Sequence, residues 1–363
     1  MVDPSPTSIS YKLIYYLRRY FDITLILLSK KSSYTENDYA NLGIMVYSFN
    51  FKGEGYIKNK KIIAGLAEVF KFIRLIKKIK KNKYDYIFVR TEPNLAGEFF
   101  FKLFNDAKKV YYPYDIFLFR QKDKERLNKF EVKAEKYCFK NADLIIHKGP
   151  KDELSWIKNN EIPTMNGKII NFLPYCFDAW ITKNKKKVKG IHLVYKGGLN
   201  SERKFKINYK QVFDTMARGG LDIEIYSSEY IGRQENKRVH IHYNRYEYPN
   251  LIKEIGKYHY GINVFFHNKT VDPRWKNSAL SNKFFSFLEA GLPIIVNDEL
   301  TFMADLVKKY NCGVVITEKD FYNLKNVLKK QNYKKLLAGV EKARNELLMS
   351  KQISRLANSI NSL

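Results

Sequence analysis

Cysteine, tryptophan and histidine are scarce in this chain, at three, three and six of 363 residues. Cys138, Cys176 and Cys312 are far apart and odd in number. They frame neither a disulfide scaffold nor a zinc site, and they suggest a reducing compartment. No run of about 18 apolar residues occurs, which argues against a spanning helix. The opening segment MVDPSPTSIS has no charged-then-apolar leader. Also missing are an Asp-x-Asp pair, a G-x-S-x-G elbow and a phosphate-binding P-loop. His240 and His242 alternate onto one strand face but lack a third metal ligand. Acidic residues are outnumbered, 37 against 65, and arginine supplies only 14 of those 65 cations. Base-reading surfaces favour the bidentate guanidinium, so the arginine deficit argues against a nucleic-acid partner.

What is present is an apolar content of 45%, enough for a real core, on a length that suits two domains. The net charge is +28, divided as +12 over residues 1–180 and +16 over the remainder, so it is no basic tail. A lysine-rich habit of composition explains much of it. The densest stretch, Lys58–Lys83, holds ten basic residues and one acid, Glu68. Within it Ile62, Leu66, Val69, Ile73 and Ile76 follow the spacing of a buried helix face. Phe72, Leu75 and Ile79 widen that stripe, and Lys71, Arg74, Lys78 and Lys81 oppose it. Such a helix is either an ordinary surface helix or one that lies on an anionic bilayer.

Strand and helix patterns alternate along the chain. Strands are expected at 22–28, 44–49, 84–90, 109–112, 144–147 and 168–173, with helices at 9–20, 96–104 and 122–140. After the polar linker Thr182–Lys189 the alternation resumes, with strands at 191–195, 221–226, 239–243, 260–266, 293–296 and 313–316. Helices are expected at 208–218 and 280–290, and beyond residue 316. This order predicts an α/β protein of two Rossmann-like, doubly wound domains facing a cleft. The first domain is expected over residues 1–180 and the second over 181–340. A C-terminal helix over 341–363 would pack back on the first domain. One oddity is that a helix, Ser8–Tyr20, comes first, with Met1–Asp3 at most the end of a strand.

Ser281–Val296, SNKFFSFLEAGLPIIV, carries the most information. It reads as a helix that starts at the cleft, a glycine stop and a buried strand. A helix N-terminus attracts anions, and Asn282 and Lys283 stand there. The segment resembles the signature of GT-B-fold glycosyltransferases, family 4 above all, whose pattern is N-K-x-x-E-Y-x-A-x-G-L-P-V-I. Val194–Leu199 is similar to the opening strand and glycine turn of that family's nucleotide domain. Ser201–Lys204 is similar to its basic loop, Asn141–Ile146 to its Ala-Asp strand start, and Leu173–Asp178 to its Pro-Asn-Gly-x-Asp turn.

The resemblance implies a sugar nucleotide on the second domain and an acceptor on the first. The departing diphosphate gains charge in the transition state, so cations and amides aimed at it are the main catalytic need. On that basis Lys204 takes the diphosphate-lysine position, with Arg203 beside it. Gly197 and Gly198 let backbone approach the phosphates. Asn282 and Lys283 lie at the donor helix. The family's two paired glutamates fall on Ser278 and Ser286, and Glu289, three residues on, is a candidate substitute carboxylate. His267 would face the donor sugar. Asp272, Arg274 and Lys276 are expected in a loop on the cleft rim. Glu92, Asn94 and Asp115, at strand ends of the first domain, would meet the acceptor.

The expectation is a retaining, metal-independent hexosyltransferase with no cofactor beyond its sugar-nucleotide co-substrate. It would be cytoplasmic, peripheral on an anionic membrane, and would act on a glycan or lipid-linked acceptor in surface polysaccharide or glycolipid synthesis. A sugar-nucleotide epimerase and a non-catalytic partner subunit of the same fold are the alternatives, the latter suggested by Ser278 and Ser286.

Overall fold

The computed structural model describes residues 1–3, 7–28, 34–49, 62–91, 93–113, 115–120, 123, 125, 127–182, 187–199, 209–227, 236–243, 248–265 and 271–363. Side chains are described throughout these except at 62–69, 91 and 151. Two wholly parallel sheets organise the chain. The first contains β1 (Val2–Asp3), β2 (Thr24–Leu27), β3 (Met45–Ser48), β4 (Tyr86–Thr91), β5 (Lys108–Pro113), β6 (Leu144–His147) and β7 (Lys168–Asn171). Its order is β3-β2-β1-β4-β5-β6-β7. The second contains β8 (His192–Lys196), β9 (Asp222–Tyr226), β10 (Val239–His242), β11 (Tyr260–Asn263), β12 (Ile294–Asn297) and β13 (Gly313–Ile316), in the order β10-β9-β8-β11-β12-β13.

The helices of the first half are α1 (Ser8–Leu17), α2 (Glu36–Ala40), α3 (Ile62–Ile79), α4 (Asn94–Leu103), α5 (Lys129–Asn141) and α6 (Lys151–Asn160). Those of the second are α7 (Tyr209–Arg218), α8 (Asn250–Ile255), α9 (Pro273–Ser278), α10 (Asn282–Glu289) and α11 (Thr301–Tyr310). The chain closes with α12 (Glu318–Tyr322), α13 (Leu324–Lys329), α14 (Tyr333–Glu346) and α15 (Met349–Asn361). Parallel strands are covered on both faces, and so they read as near-continuous apolar runs. LIIH of β6 and IIVN of β12 are buried at every residue.

The oddity at the start resolves simply. Val2–Asp3 is a strand, and it lies at the centre of the first sheet, paired with β2 and β4. Two residues suffice because both neighbours are longer. The helix expected over 122–140 begins later, at Lys129, where Asn128 accepts hydrogen bonds from the Phe130 and Glu131 amides. Phe117–Phe119 instead forms a 3₁₀ turn held by Glu135. Pro113 ends β5 inside the strand rather than beyond it.

The buried stripe of α3 is rotated from the expected one. Ile79 is fully buried and Phe72, Leu75 and Ile76 are half-buried, whereas Ile73 is 43% exposed and Phe70 62% exposed. Phe72 packs against Phe49 and Phe99, with ring centroids 5.0 and 5.6 Å apart.

The signature helix α10 is buried from Phe284 to Glu289 without a break. It lies so close to the sheet that a Cβ on Gly261 of β11 would fall 2.2 Å from the Phe287 ring. Glycine is therefore required there by packing. The C-terminal helices cross back to the first half. Cys176 exchanges backbone hydrogen bonds with Leu347 and Met349, and Arg355 of α15 donates to the Asn171 carbonyl at 2.9 Å.

Candidate functional site

In each sheet the chain winds outward in both directions from one adjacent pair of strands. These pairs are β1 and β4 in the first, β8 and β11 in the second. Ligands of open parallel sheets bind outside the carboxyl ends of such a pair. At the first switch point Asp3 accepts from Arg90 at 3.1 Å, and Arg90 also donates to Ser10 at 2.7 Å. All three are buried.

At the second, β8 ends on Lys196 and runs into Gly197 and Gly198. Gly197 has φ +131°, which only glycine adopts without strain, and its amide donates to the Tyr226 carbonyl at 3.0 Å. A Cβ there would approach Lys283 Cε to 3.0 Å. Lys283, in the first turn of α10, thus lies directly over the glycine turn. Its Nζ is 5.0 Å from the centre of the Tyr195 ring. Ser281 caps the helix by accepting from the Lys283 amide.

Ser286 and Glu289 have separate surroundings. Ser286 donates back to the Asn282 carbonyl at 3.1 Å and lies 3.3 Å from the Tyr248 hydroxyl. Lys196 donates to that same hydroxyl. Glu289 forms a buried ion pair with Lys12 of α1 and accepts from the Phe177 amide at 2.8 Å. Its carboxylate is thereby engaged with the first domain, which explains why a glutamate is tolerated in a helix buried all round. Lys12 also donates to the Tyr175 carbonyl and lies over the Trp180 ring at 5.1 Å. Burial lowers the ammonium pKa of Lys196 to about 7, with Glu289 opposing and Lys12 and Lys283 reinforcing the shift.

A crevice between the domains is lined from the first by Asp115, His147 and Glu153, and from the second by Trp275 and Ser278. Asp115 pairs with Lys148 at 2.7 Å, and Lys148 reaches over to the Leu280 carbonyl at 3.3 Å. His147 Nε2 lies 2.9 Å from Glu153 and 3.1 Å from the Pro150 carbonyl. Two acceptors at one nitrogen place the ring proton on Nε2 when the imidazole is neutral. Ser278 donates to the Arg274 carbonyl.

The segment expected as a rim loop is helix α9. Asp272 caps it, accepting from the Arg274 amide at 2.9 Å, and Pro273 opens it. Arg274 lies 3.8 Å from the centre of the first-domain Trp156 ring, a cation–π contact across the cleft.

Of the acceptor-side residues, Asp115 faces the crevice. Asn94 is buried inside the first domain, its backbone N–H donating to Glu131 at 2.6 Å and its Oδ1 accepting from Tyr111 at 3.0 Å. Arg203, Lys204, His267 and Glu92 lie outside the described residues. Sequence reasoning missed Lys196, Tyr248, His147, Glu153 and Lys148. Lys196 was detectable as a charge ending an apolar strand just before a double glycine; the others come together only through the fold.

These two sheets and their facing switch points define a GT-B fold. The chain superimposes on HepE from Anabaena, solved with UDP and glucose, with a TM-score of 0.68 and 14% identity, over 100% of this chain and 98% of that one. It superimposes on sucrose-phosphate synthase from Thermosynechococcus elongatus with a TM-score of 0.67 and 10% identity, over 98% and 92% of the two chains. An α,α-trehalose-phosphate synthase (UDP-forming) from Burkholderia vietnamiensis gives 0.66 and 8%, over 100% and 99%. No curated protein sequence matches. Residues 193–359 match the family of glucosyltransferase 3-like C-terminal domains. The chain therefore has the GT-B fold, and its second half is similar to glucosyltransferase 3-like C-terminal domains.

Proposed function

We propose that the chain transfers a hexose from a nucleoside-diphosphate sugar, held on the second domain, to a hydroxyl acceptor in the interdomain crevice. The observation that carries this is Lys283 poised over the Gly197–Gly198 turn, at the carboxyl end of the strand where the second sheet switches direction. A cation, a side-chain-free turn and a helix start converge where a departing diphosphate needs charge. Arg203 and Lys204 are proposed to add to it and His267 to meet the donor sugar. Asp115, beside His147, is proposed to orient the acceptor. The reaction is read as retaining and metal-independent.

A surface polysaccharide or glycolipid acceptor at an anionic membrane face suits the charge. Phe70, Ile73 and the 39%-exposed Phe99 stand out among the lysines of α3 and α4. No helix among the described residues is long and apolar enough to cross a membrane. A second reading, a partner subunit that retains the fold without activity, is favoured by serine at positions 278 and 286.

Calorimetry with UDP, GDP, ADP and CDP, followed by sugar transfer from the matching donor, tests both. Binding of one nucleotide with transfer supports the enzyme. Binding of none removes the donor reading and leaves the partner subunit.

A further inference from the structure

Lysine is rarely buried without a carboxylate partner, because the uncompensated charge is costly. Lys196 is only 7% exposed, and among the described residues no carboxylate forms an ion pair with it. Its hydrogen-bond partner is the hydroxyl of Tyr248, whose ring face it also approaches at 4.6 Å from the centroid. The groups around it are Tyr248 ahead of α8, Lys283, Ser286 and Glu289 on α10, and Lys12 on α1. Among the described residues three lysines therefore share one carboxylate, and the ion pair of that carboxylate goes to Lys12. The described groups thus gather positive charge at the end of β8, one residue before a turn that has no side chains. Such a concentration of buried cations suits an anion.

We propose that Lys196 is an anion-binding residue of the donor site, and that the diphosphate of the nucleotide is its missing counter-ion. The proposal rests on the donor reading above and adds a residue to it. It also gives the serine at position 286 a consequence. A carboxylate there would neutralise Lys196 internally, whereas serine leaves the ammonium to the ligand.

Burial has already brought this ammonium down to about 7. A bound diphosphate reverses that shift, so binding takes up a proton above neutrality. The test is calorimetry on the full chain with UDP and, separately, inorganic pyrophosphate, in two buffers of different ionisation enthalpy between pH 6.5 and 8.5. The expected result is uptake of close to one proton per ligand at pH 8, with affinity falling about tenfold per pH unit above 7. Lys196→Met should abolish the uptake and weaken binding about tenfold at pH 6.5, with an unchanged or raised melting temperature because a buried cation is removed. Lys196→Arg should bind without uptake, since guanidinium stays charged.

Binding of UDP by the wild type with no uptake at pH 8, and within twofold of Lys196→Met, overturns the proposal and leaves the donor reading intact. Pyrophosphate binding with uptake, while UDP fails, would leave an anion site at Lys196 but overturn the donor reading and, with it, the nucleotide diphosphate as the counter-ion. Failure of all the ligands overturns both.

Discussion

Lys12 and Glu289, 277 residues apart in sequence, form an ion pair that is buried on both sides and joins the first helix of one domain to the signature helix of the other. Glu289 Oε1 accepts both the ammonium and the Phe177 amide, while Oε2 has no hydrogen-bond partner among the described residues. Removing one partner strands a buried charge. Lys12→Met or Glu289→Gln should each cost about 3 kcal/mol in urea unfolding. The double variant Lys12→Met with Glu289→Gln should cost clearly less than the two singles added. Additive costs would mean that the two groups do not interact.

On the proposed reading, Lys283 acts on a ligand more than on stability. It is half-buried, and no carboxylate pairs with it among the described residues. Lys283→Ala should leave the melting temperature within about 2 °C and weaken nucleoside-diphosphate binding about tenfold, or 1.4 kcal/mol. An unchanged dissociation constant would remove Lys283 from the donor site.

Asp115 engages Lys148, which in turn holds the Leu280 carbonyl on the opposite domain. Asp115→Asn should leave donor affinity within twofold and lower kcat/KM for transfer about tenfold or more, by misplacing the acceptor. Gly149→Ala tests the neighbouring pair from another side. Its Cβ would lie 2.5 Å from Glu153 Oε2 and 2.8 Å from His147 Nε2, so the imidazole and carboxylate must separate. Transfer by this variant should fall while donor binding holds; loss of donor binding instead would assign the crevice to the donor.

Much of this architecture was legible in the sequence, because parallel strands and their covering helices impose apolar runs at readable spacing. The β6 and β13 boundaries follow directly from LIIH and GVVI. Val2–Asp3 was not legible as a central strand, since two residues carry no period. The face of α3 was misjudged by about one position because its apolar stripe is broad, and the burial of Ile79 and the contacts of Phe72 with Phe49 and Phe99 fix the rotation. The site divided in the same way. Gly197, Asn282 and Lys283 belong to short local patterns. Glu289 reads locally as a carboxylate beside the nucleotide, but the fold sets it against Lys12, a relation that no local pattern encodes.

The three cysteines differ from reactive thiols in their surroundings. Cys138, Cys176 and Cys312 are all buried, and burial pushes each thiol above its usual range, to about 12 for Cys312. The native protein should react negligibly with a thiol-specific disulfide reagent, and the unfolded chain should release the equivalent of three thiols. Rapid labelling of one thiol in the native state would show that its surroundings open readily.

Glu135 makes stability depend on pH in an unusual direction. It is wholly buried in α5 and accepts the Phe117 and Leu118 amides at 2.7 and 2.9 Å. Burial nevertheless raises its pKa from 4.5 to about 7. Between those values the folded chain binds the proton that the unfolded chain has released. This contribution to stability is therefore full below about 4.5 and is lost as pH rises through 7. The span corresponds to roughly 3 kcal/mol. Glutamine cannot ionise, and it offers one oxygen to two amides, at a fixed cost of about 1–2 kcal/mol. Glu135→Gln should therefore be the less stable protein at pH 5. From pH 5 to pH 8 the difference should move by roughly 2–3 kcal/mol in its favour. Parallel stability curves for the two proteins over that range would show that Glu135 is already ionised at pH 5.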